Sequence, residues 1–234
     1  MPAVAQPPVV LVHGFATSAA RTWRDNGWVD LLEDARREII APDLLGHGNS
    51  PKPHDGRAYD ELEATLLESF PTEPVDAVGF SLGARCLLVL ASQHPQQFNR
   101  LVVAGVGANL FRHDDHELLA SALDGFVAGI TQPLDDPVGR YFQQLASADD
   151  ADPAALAALL RRPNPPPITA ESLEAVSCNV LVVIGDRDFA GPGEPLVERL
   201  PTGELLTLAG LDHFATPKDF RFIDAALSFI GAQP

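Results

Sequence analysis

Gly79-Phe80-Ser81-Leu82-Gly83 sets a serine between two glycines. The pentapeptide follows the run Val75-Asp76-Ala77-Val78 and opens a second apolar run, Ala84 to Ala91. The serine therefore falls where a short strand meets a helix, the setting of a nucleophile elbow. A serine hydroxyl is a weak nucleophile unless its surroundings activate it. A turn tight enough to need small residues two before and two after the serine lifts the side chain clear of the backbone. It also aims the N–H groups of the new helix at a reacting carbonyl. The chemistry on offer is acyl transfer through a covalent intermediate. A plain helix N-cap is the other common use of serine, but it does not ask for glycine on both sides.

The elements that must position this serine follow from the hydrophobic pattern. Val9-Val10-Leu11-Val12, Ile39-Ile40-Ala41, Val75 to Phe80, Leu101 to Ala104, Val180 to Ile184 and Glu204 to Leu208 read as short strands. Thr22 to Arg36, Asp60 to Ser69, Ser81 to Gln93 and Phe220 to Ile230 read as helices between and after them. Strand and helix in alternation imply a parallel sheet covered on both faces, an α/β fold. Between Val106 and about Pro167 the alternation stops. Leu118 to Ile130 and Ala154 to Arg161 read as helices there, and Pro163-Asn164-Pro165-Pro166-Pro167 as a stiff connector. The expected organisation is a core of residues 1–106 and 168–234 with a helical lid, 107–167, inserted between two strands.

Composition narrows the function. The 234 residues carry a formal net charge of −16, which argues against nucleic acid or an anionic membrane as partner. Lys52 and Lys218 are the only lysines. Cys86 and Cys178 lie in or beside apolar segments and read as buried thiols rather than a disulfide framework. The first residues show neither a basic region nor a long apolar one, so a reducing cytoplasm is the expected location. There is no phosphate-cradling glycine loop, Cys-x-x-Cys pair or dinucleotide fingerprint, so no cofactor is expected. His113-Asp114-Asp115-His116 has metal-ligand spacing but reads as a solvated helix start with its acids near the positive dipole end, and no metal is expected.

With these pieces in place, the chain resembles the α/β-hydrolase superfamily over nearly its whole length. His13-Gly14-Phe15 follows the first strand, and Asp43-Leu44-Leu45-Gly46-His47-Gly48-Asn49-Ser50 the second. The serine turn follows the third, Gly185-Asp186-Arg187-Asp188 with Pro192 the fifth, and Gly210-Leu211-Asp212-His213 the sixth. Only eight residues precede Val9, so two strands common in relatives have no sequence here. The resemblance then implies a mostly parallel six-stranded sheet, ordered 2-1-3-4-5-6, with helices on both faces and the serine beside the switch point.

The resemblance also implies roles. Ser81 would be the nucleophile and His213 the general base and then acid, since His13 and His47 belong to turn motifs. Asp188 and Asp186 compete as the carboxylate that orients the imidazole; Gly185, Asp188 and Pro192 fit the family pattern, which favours Asp188. Backbone N–H groups of Phe15 and Leu82 would form the oxyanion hole. Phe111, Phe126 and Phe214 are candidate substrate-binding residues, and Leu110, Leu118, Leu119, Leu123, Val127 and Ile130 are further lid positions that either line an acyl pocket or pack as core. The expected function is hydrolysis of a small-molecule carboxylic ester or thioester through an acyl-enzyme on Ser81. Carbon–carbon hydrolases of ring-cleavage products share the triad and carry an aromatic after the histidine, here Phe214, and a basic lid residue, for which Arg140, Arg161 and Arg162 are candidates. An acyltransferase and a non-enzymatic ligand receptor complete the alternatives.

Overall fold

The computed structural model describes residues 6–112, 116–130 and 134–233. Six strands form one sheet in the order β2-β1-β3-β4-β5-β6. They are β1 (Val9–Val12), β2 (Ile39–Ile40), β3 (Val75–Phe80), β4 (Phe98–Ala104), β5 (Asn179–Gly185) and β6 (Gly203–Leu208). Every neighbouring pair is parallel. The order reverses direction at β1 and β3, so the carboxyl ends of those strands flank the crevice where open α/β sheets take their ligands.

Side chains of a strand alternate between faces, and the core divides accordingly. Val10, Val12, Ala77, Leu101, Val103, Val180 and Val182 pack on one side with α2 (Leu62–Leu67) and α3 (Leu82–Gln93). Val9, Leu11, Val78, Val102, Leu181 and Val183 pack on the other against Trp23 and Trp28. The rest of that layer comes from α1 (Trp28–Asp34) and, at the end of the chain, the helix Phe220–Phe229. Both faces are covered, which is why the strands read as continuous apolar runs rather than alternating ones.

The expected helix over Thr22 to Arg36 is divided. A single wide turn, Ala20–Arg24, precedes α1, and Gly27 at φ 80° breaks the two apart. Among the described residues of 107–167 there are helices and no strand: a short turn Ala108–Phe111, then α4 (Glu117–Val127), α5 (Pro137–Ala146) and α6 (Pro153–Leu160). The sequence reading anticipated α4 and α6 but not α5. Its start is built in the same way as that of α6. Asp136 and Asp152 accept hydrogen bonds from first-turn amides, and a proline occupies the position after each. Ala120, Leu123, Ala146, Leu156 and Ala157 close a small core of their own over Ala16. Beyond the connector come α7 (Ala170–Glu174), α8 (Glu194–Val197) and the closing helix α9 (Phe220–Phe229). No helix among the described residues is long and apolar enough to cross a membrane.

Candidate active site

Ser81 sits between β3 and α3 with φ 52° and ψ −112°, a left-handed backbone for a residue with a side chain. Its own amide donates to the Ala104 carbonyl of β4 and its carbonyl accepts from Arg85, so the strained residue is held from both sides. The flanking glycines are dictated by space. A Cβ on Gly83 would stand 2.2 Å from the Val12 carbonyl oxygen and 2.5 Å from that of His13. One on Gly79 would stand 2.8 Å from the backbone of Ala84. The start of α3 is thus pressed directly onto the end of β1.

The loop after β6 carries His213 back over this turn. His213 Nε2 lies 3.1 Å from Ser81 Oγ, and Nδ1 lies 2.9 and 3.0 Å from the two Asp188 carboxylate oxygens. Asp188 follows β5, is buried, and also accepts from the Ala190 amide at 2.8 Å. Asp186 takes no part in this chain: it is exposed and accepts from the Gly210 amide. A hydroxyl, an imidazole and a buried carboxylate in series can move the hydroxyl proton to nitrogen as oxygen attacks, with the carboxylate holding the tautomer and the charged ring. Among the described residues, no acceptor within the chain takes the Phe15 or the Leu82 amide proton.

Two other histidines brace the loops. His13 Nε2 accepts from the Leu44 amide and its Nδ1 donates to the Gly14 carbonyl. His47 Nε2 accepts from the Ala16 amide and its Nδ1 donates to the Leu45 carbonyl. An accepting nitrogen must be unprotonated, and burial agrees, pushing His13 down to about 4 and His47 down to about 3. Asp43 completes the frame by accepting from the Ala19 and Asn49 amides. The stretch Asp43 to Ser50 is therefore scaffolding for the loop that bears Phe15.

A cavity of about 220 Å³ opens at Ser81 and His213. Phe15, Thr17, Arg21, Thr22 and Asn26 supply one wall; Tyr141, Phe142 and Leu145 of α5 another; Phe80, Phe214, Pro217 and Lys218 the remainder. Aromatic rings crowd the imidazole. Phe189, Phe80 and Phe214 have centroids 4.3, 4.8 and 5.3 Å from that of His213, and Tyr141 stacks on Phe214 at 3.8 Å.

Of the sequence candidates for substrate contact, Phe214 lines the cavity, whereas Phe111 and Phe126 do not. Phe111 packs against the core with the Arg199 guanidinium 4.5 Å over its ring. The other lid positions divide between core and solvent: Leu110 and Leu123 are buried, while Leu118, Val127 and Ile130 are exposed. Among the lining residues that sequence reading missed are those of α5. Their signal was present, because Val138, Tyr141, Phe142 and Leu145 have the spacing of one helical face and follow Asp136-Pro137. The basic candidates are engaged elsewhere. Arg140 donates to the carbonyls of Leu134 and Asp135, Arg161 pairs with Glu117 and Asp124, and Arg162 pairs with Glu63. Arg21, which the sequence reading passed over, does face the cavity. Among the described residues no group of three or more His, Cys, Asp or Glu side chains is gathered to hold a metal. His113, Asp114 and Asp115 lie outside the described residues.

A family model described as the alpha/beta hydrolase fold matches residues 7–188. The chain belongs to the α/β-hydrolase family. An uncharacterised protein of Mycobacterium tuberculosis is 38% identical over 104 residues, which is 43% of this chain and 29% of that protein. This chain thus matches well under half the length of that curated relative. A pimeloyl-acyl-carrier-protein methyl ester esterase of Neisseria meningitidis is 29% identical over 231 residues, 88% of this chain and 70% of the esterase. Among solved structures, the 2-hydroxy-6-oxo-6-phenylhexa-2,4-dienoate hydrolase of a Rhodococcus species superposes with a TM-score of 0.69, covering 97% of this chain and 90% of that one at 22% identity. That likeness speaks to the fold alone.

Proposed function

We propose that this protein is a serine hydrolase that cleaves a carboxylic ester or thioester through an acyl-enzyme on Ser81. The observation that carries the reading is the unbroken series Ser81 Oγ, His213 and buried Asp188 at hydrogen-bond distances, on a backbone strained at the serine. In the first half-reaction Ser81 Oγ attacks the carbonyl carbon and its proton passes to His213 Nε2. The carbonyl oxygen, now negative, takes the free amides of Phe15 and Leu82, and the leaving alcohol or thiol departs with the proton from His213. In the second, His213 removes a proton from water, the resulting hydroxide releases the acid, and Ser81 regains its hydrogen. In this reading residues 107–167 act as a helical lid, which the seating of Tyr141, Phe142 and Leu145 over the serine supports.

Carbon–carbon bond hydrolysis is the second reading. Phe214 beside His213 favours it. The engagement of Arg140, Arg161 and Arg162 outside the cavity weighs against it.

Hydrolysis of p-nitrophenyl acetate, butyrate and octanoate by the wild type and by Ser81→Ala tests the proposal. Turnover that vanishes in the variant is expected, with a preference for the shorter chains that fit a cavity of about 220 Å³. Turnover that persists in Ser81→Ala defeats the mechanism. A folded wild type inert to all the esters passes the weight to carbon–carbon cleavage, acyl transfer or simple ligand binding.

A further inference from the structure

The cavity lining is of two chemically different kinds. One is aromatic, from Phe142, Tyr141 and Phe214. The other is cationic, and in a chain with a net charge of −16 and only two lysines that is unexpected. Arg21 and Lys218 both line it. They are brought together by the fold, because the turn Thr216–Lys218 packs against the turn Ala20–Arg24. Trp28 Nε1, at the start of α1, donates to the Pro217 carbonyl at 2.8 Å beside them.

Neither cation is fully used. Arg21 pairs with both Asp150 carboxylate oxygens through Nε and Nη2, and Nη2 also donates to the Ala16 carbonyl, while Nη1 has no hydrogen-bond acceptor among the described residues. Lys218 is exposed, and its ammonium group has no hydrogen bond or ion pair among the described residues. The Arg21 and Asp150 side chains keep 26% and 35% of their surface, so their ion pair is wet and exchangeable.

The orientation of a bound ester follows from where protons must go. The leaving group takes its proton from His213, so the alcohol portion lies on the side of that imidazole, among Phe214, Phe142 and Tyr141. The acyl portion then takes the rest of the cavity, whose lining includes Arg21 and Lys218. Resting on the reading of Ser81 as nucleophile, we infer that the preferred substrate is a monoester of a short dicarboxylic acid, whose free carboxylate is held by Arg21 Nη1 and Lys218. Arg21 Nη1 offers a donor on a fixed charge and Lys218 a mobile point charge, so the two complement one another.

The test compares p-nitrophenyl hemiadipate with p-nitrophenyl hexanoate, equal in chain length and different in terminal charge, each corrected for the rate with Ser81→Ala. The wild type is expected to favour the hemiadipate in kcat/KM. Arg21→Gln and Lys218→Gln should each lower the ratio of the two esters by about five- to tenfold, and added salt should lower it further. Because both esters are measured on one preparation, partial misfolding of Arg21→Gln cancels from the ratio. Turnover of both esters with a ratio that neither variant moves overturns the carboxylate site and leaves the serine hydrolase standing. Turnover of neither ester by a folded wild type defeats the ester-hydrolase reading on which the inference rests. Calorimetric titration of Ser81→Ala with adipate and with hexanoate then decides the site on its own: adipate should bind more tightly, and Lys218→Gln on that background should remove the difference. Equal binding of the two acids overturns the proposal.

Discussion

The sheet domain and the helices between residues 108 and 160 are held together by different forces. The sheet is fixed by continuous burial: β1, β3, β4 and β5 contribute apolar side chains with almost no exposure on either face. The helical segment has only a small core around Ala120, Leu123 and Leu156, leaves Leu118, Val127 and Ile130 at 67%, 58% and 59% exposure, and adds polar pairs to it. Arg161 joins Glu117 and Asp124 within it, and Arg162 to Glu63, Asp150 to Arg21 and Asp152 to His54 join it to the sheet domain. Yet both regions meet at one cavity. The sheet domain supplies Ser81, His213 and Asp188, whose positions need tenths of an ångström, and the helical segment supplies Tyr141, Phe142 and Leu145, which need only fill space. Rigid burial suits the first task, and a small core fastened by polar pairs suits the second. Changes in the sheet domain should therefore abolish rate or fold, and changes in the helices should redistribute preference.

The largest effect should come from the proposed nucleophile. Ser81→Ala is expected to lower kcat/KM for p-nitrophenyl butyrate by about ten-thousandfold or more, measured against matched Tm values. Next is Gly83→Ala, where the added methyl meets the Val12 carbonyl; a loss of about 3 kcal/mol or more in urea unfolding is expected, and an unchanged midpoint would show that β1 and α3 are not pressed together as described.

Acid should act on the sheet domain in a way set by His13 and His47. Both are depressed in the folded protein, to about 4 and about 3, so between those values and 6.5 the unfolded chain binds the additional protons. Stability from these groups is then complete above pH 6.5 and falls as the pH drops, by on the order of 2 kcal/mol per histidine at pH 5. Urea midpoints at pH 7, 6 and 5 measure it; midpoints that do not fall toward pH 5 contradict the neutral, accepting state of these rings. In the helical segment, Tyr141→Ala should change the ratio of octanoate to acetate hydrolysis by about tenfold while moving acetate turnover by less than about threefold. Arg161→Ala should be smallest: Arg161 sits in an exposed network, and its loss should shift unfolding by less than about 1 kcal/mol.

The two regions also differed in how openly the sequence announced them. Gly79, Ser81 and Gly83 are legible because the requirement for small residues is local and admits few exceptions. The strands are legible because two covered faces force unbroken runs such as Val9 to Val12. The distinction between Asp188 and Asp186, two residues apart on one loop, is made by the fold, which buries one and exposes the other. In the helical segment the pattern itself misleads. Leu118, Val127 and Ile130 have the apolar character of lining residues but face solvent. α5, whose Asp-Pro start and helical spacing were readable, carries the residues that reach the cavity. Pairings such as Arg162 with Glu63 bridge distant parts of the chain and leave no local trace.

The backbone at Ser81 has a consequence for adaptation. A residue with a side chain held at φ 52° and ψ −112° costs about 1–3 kcal/mol, and glycine alone escapes that penalty. Ser81→Gly should thus unfold at a higher temperature than the wild type while losing all turnover. Selection for thermal endurance alone would drift toward removing the hydroxyl, so under the proposed mechanism the serine persists only while its chemistry is in demand.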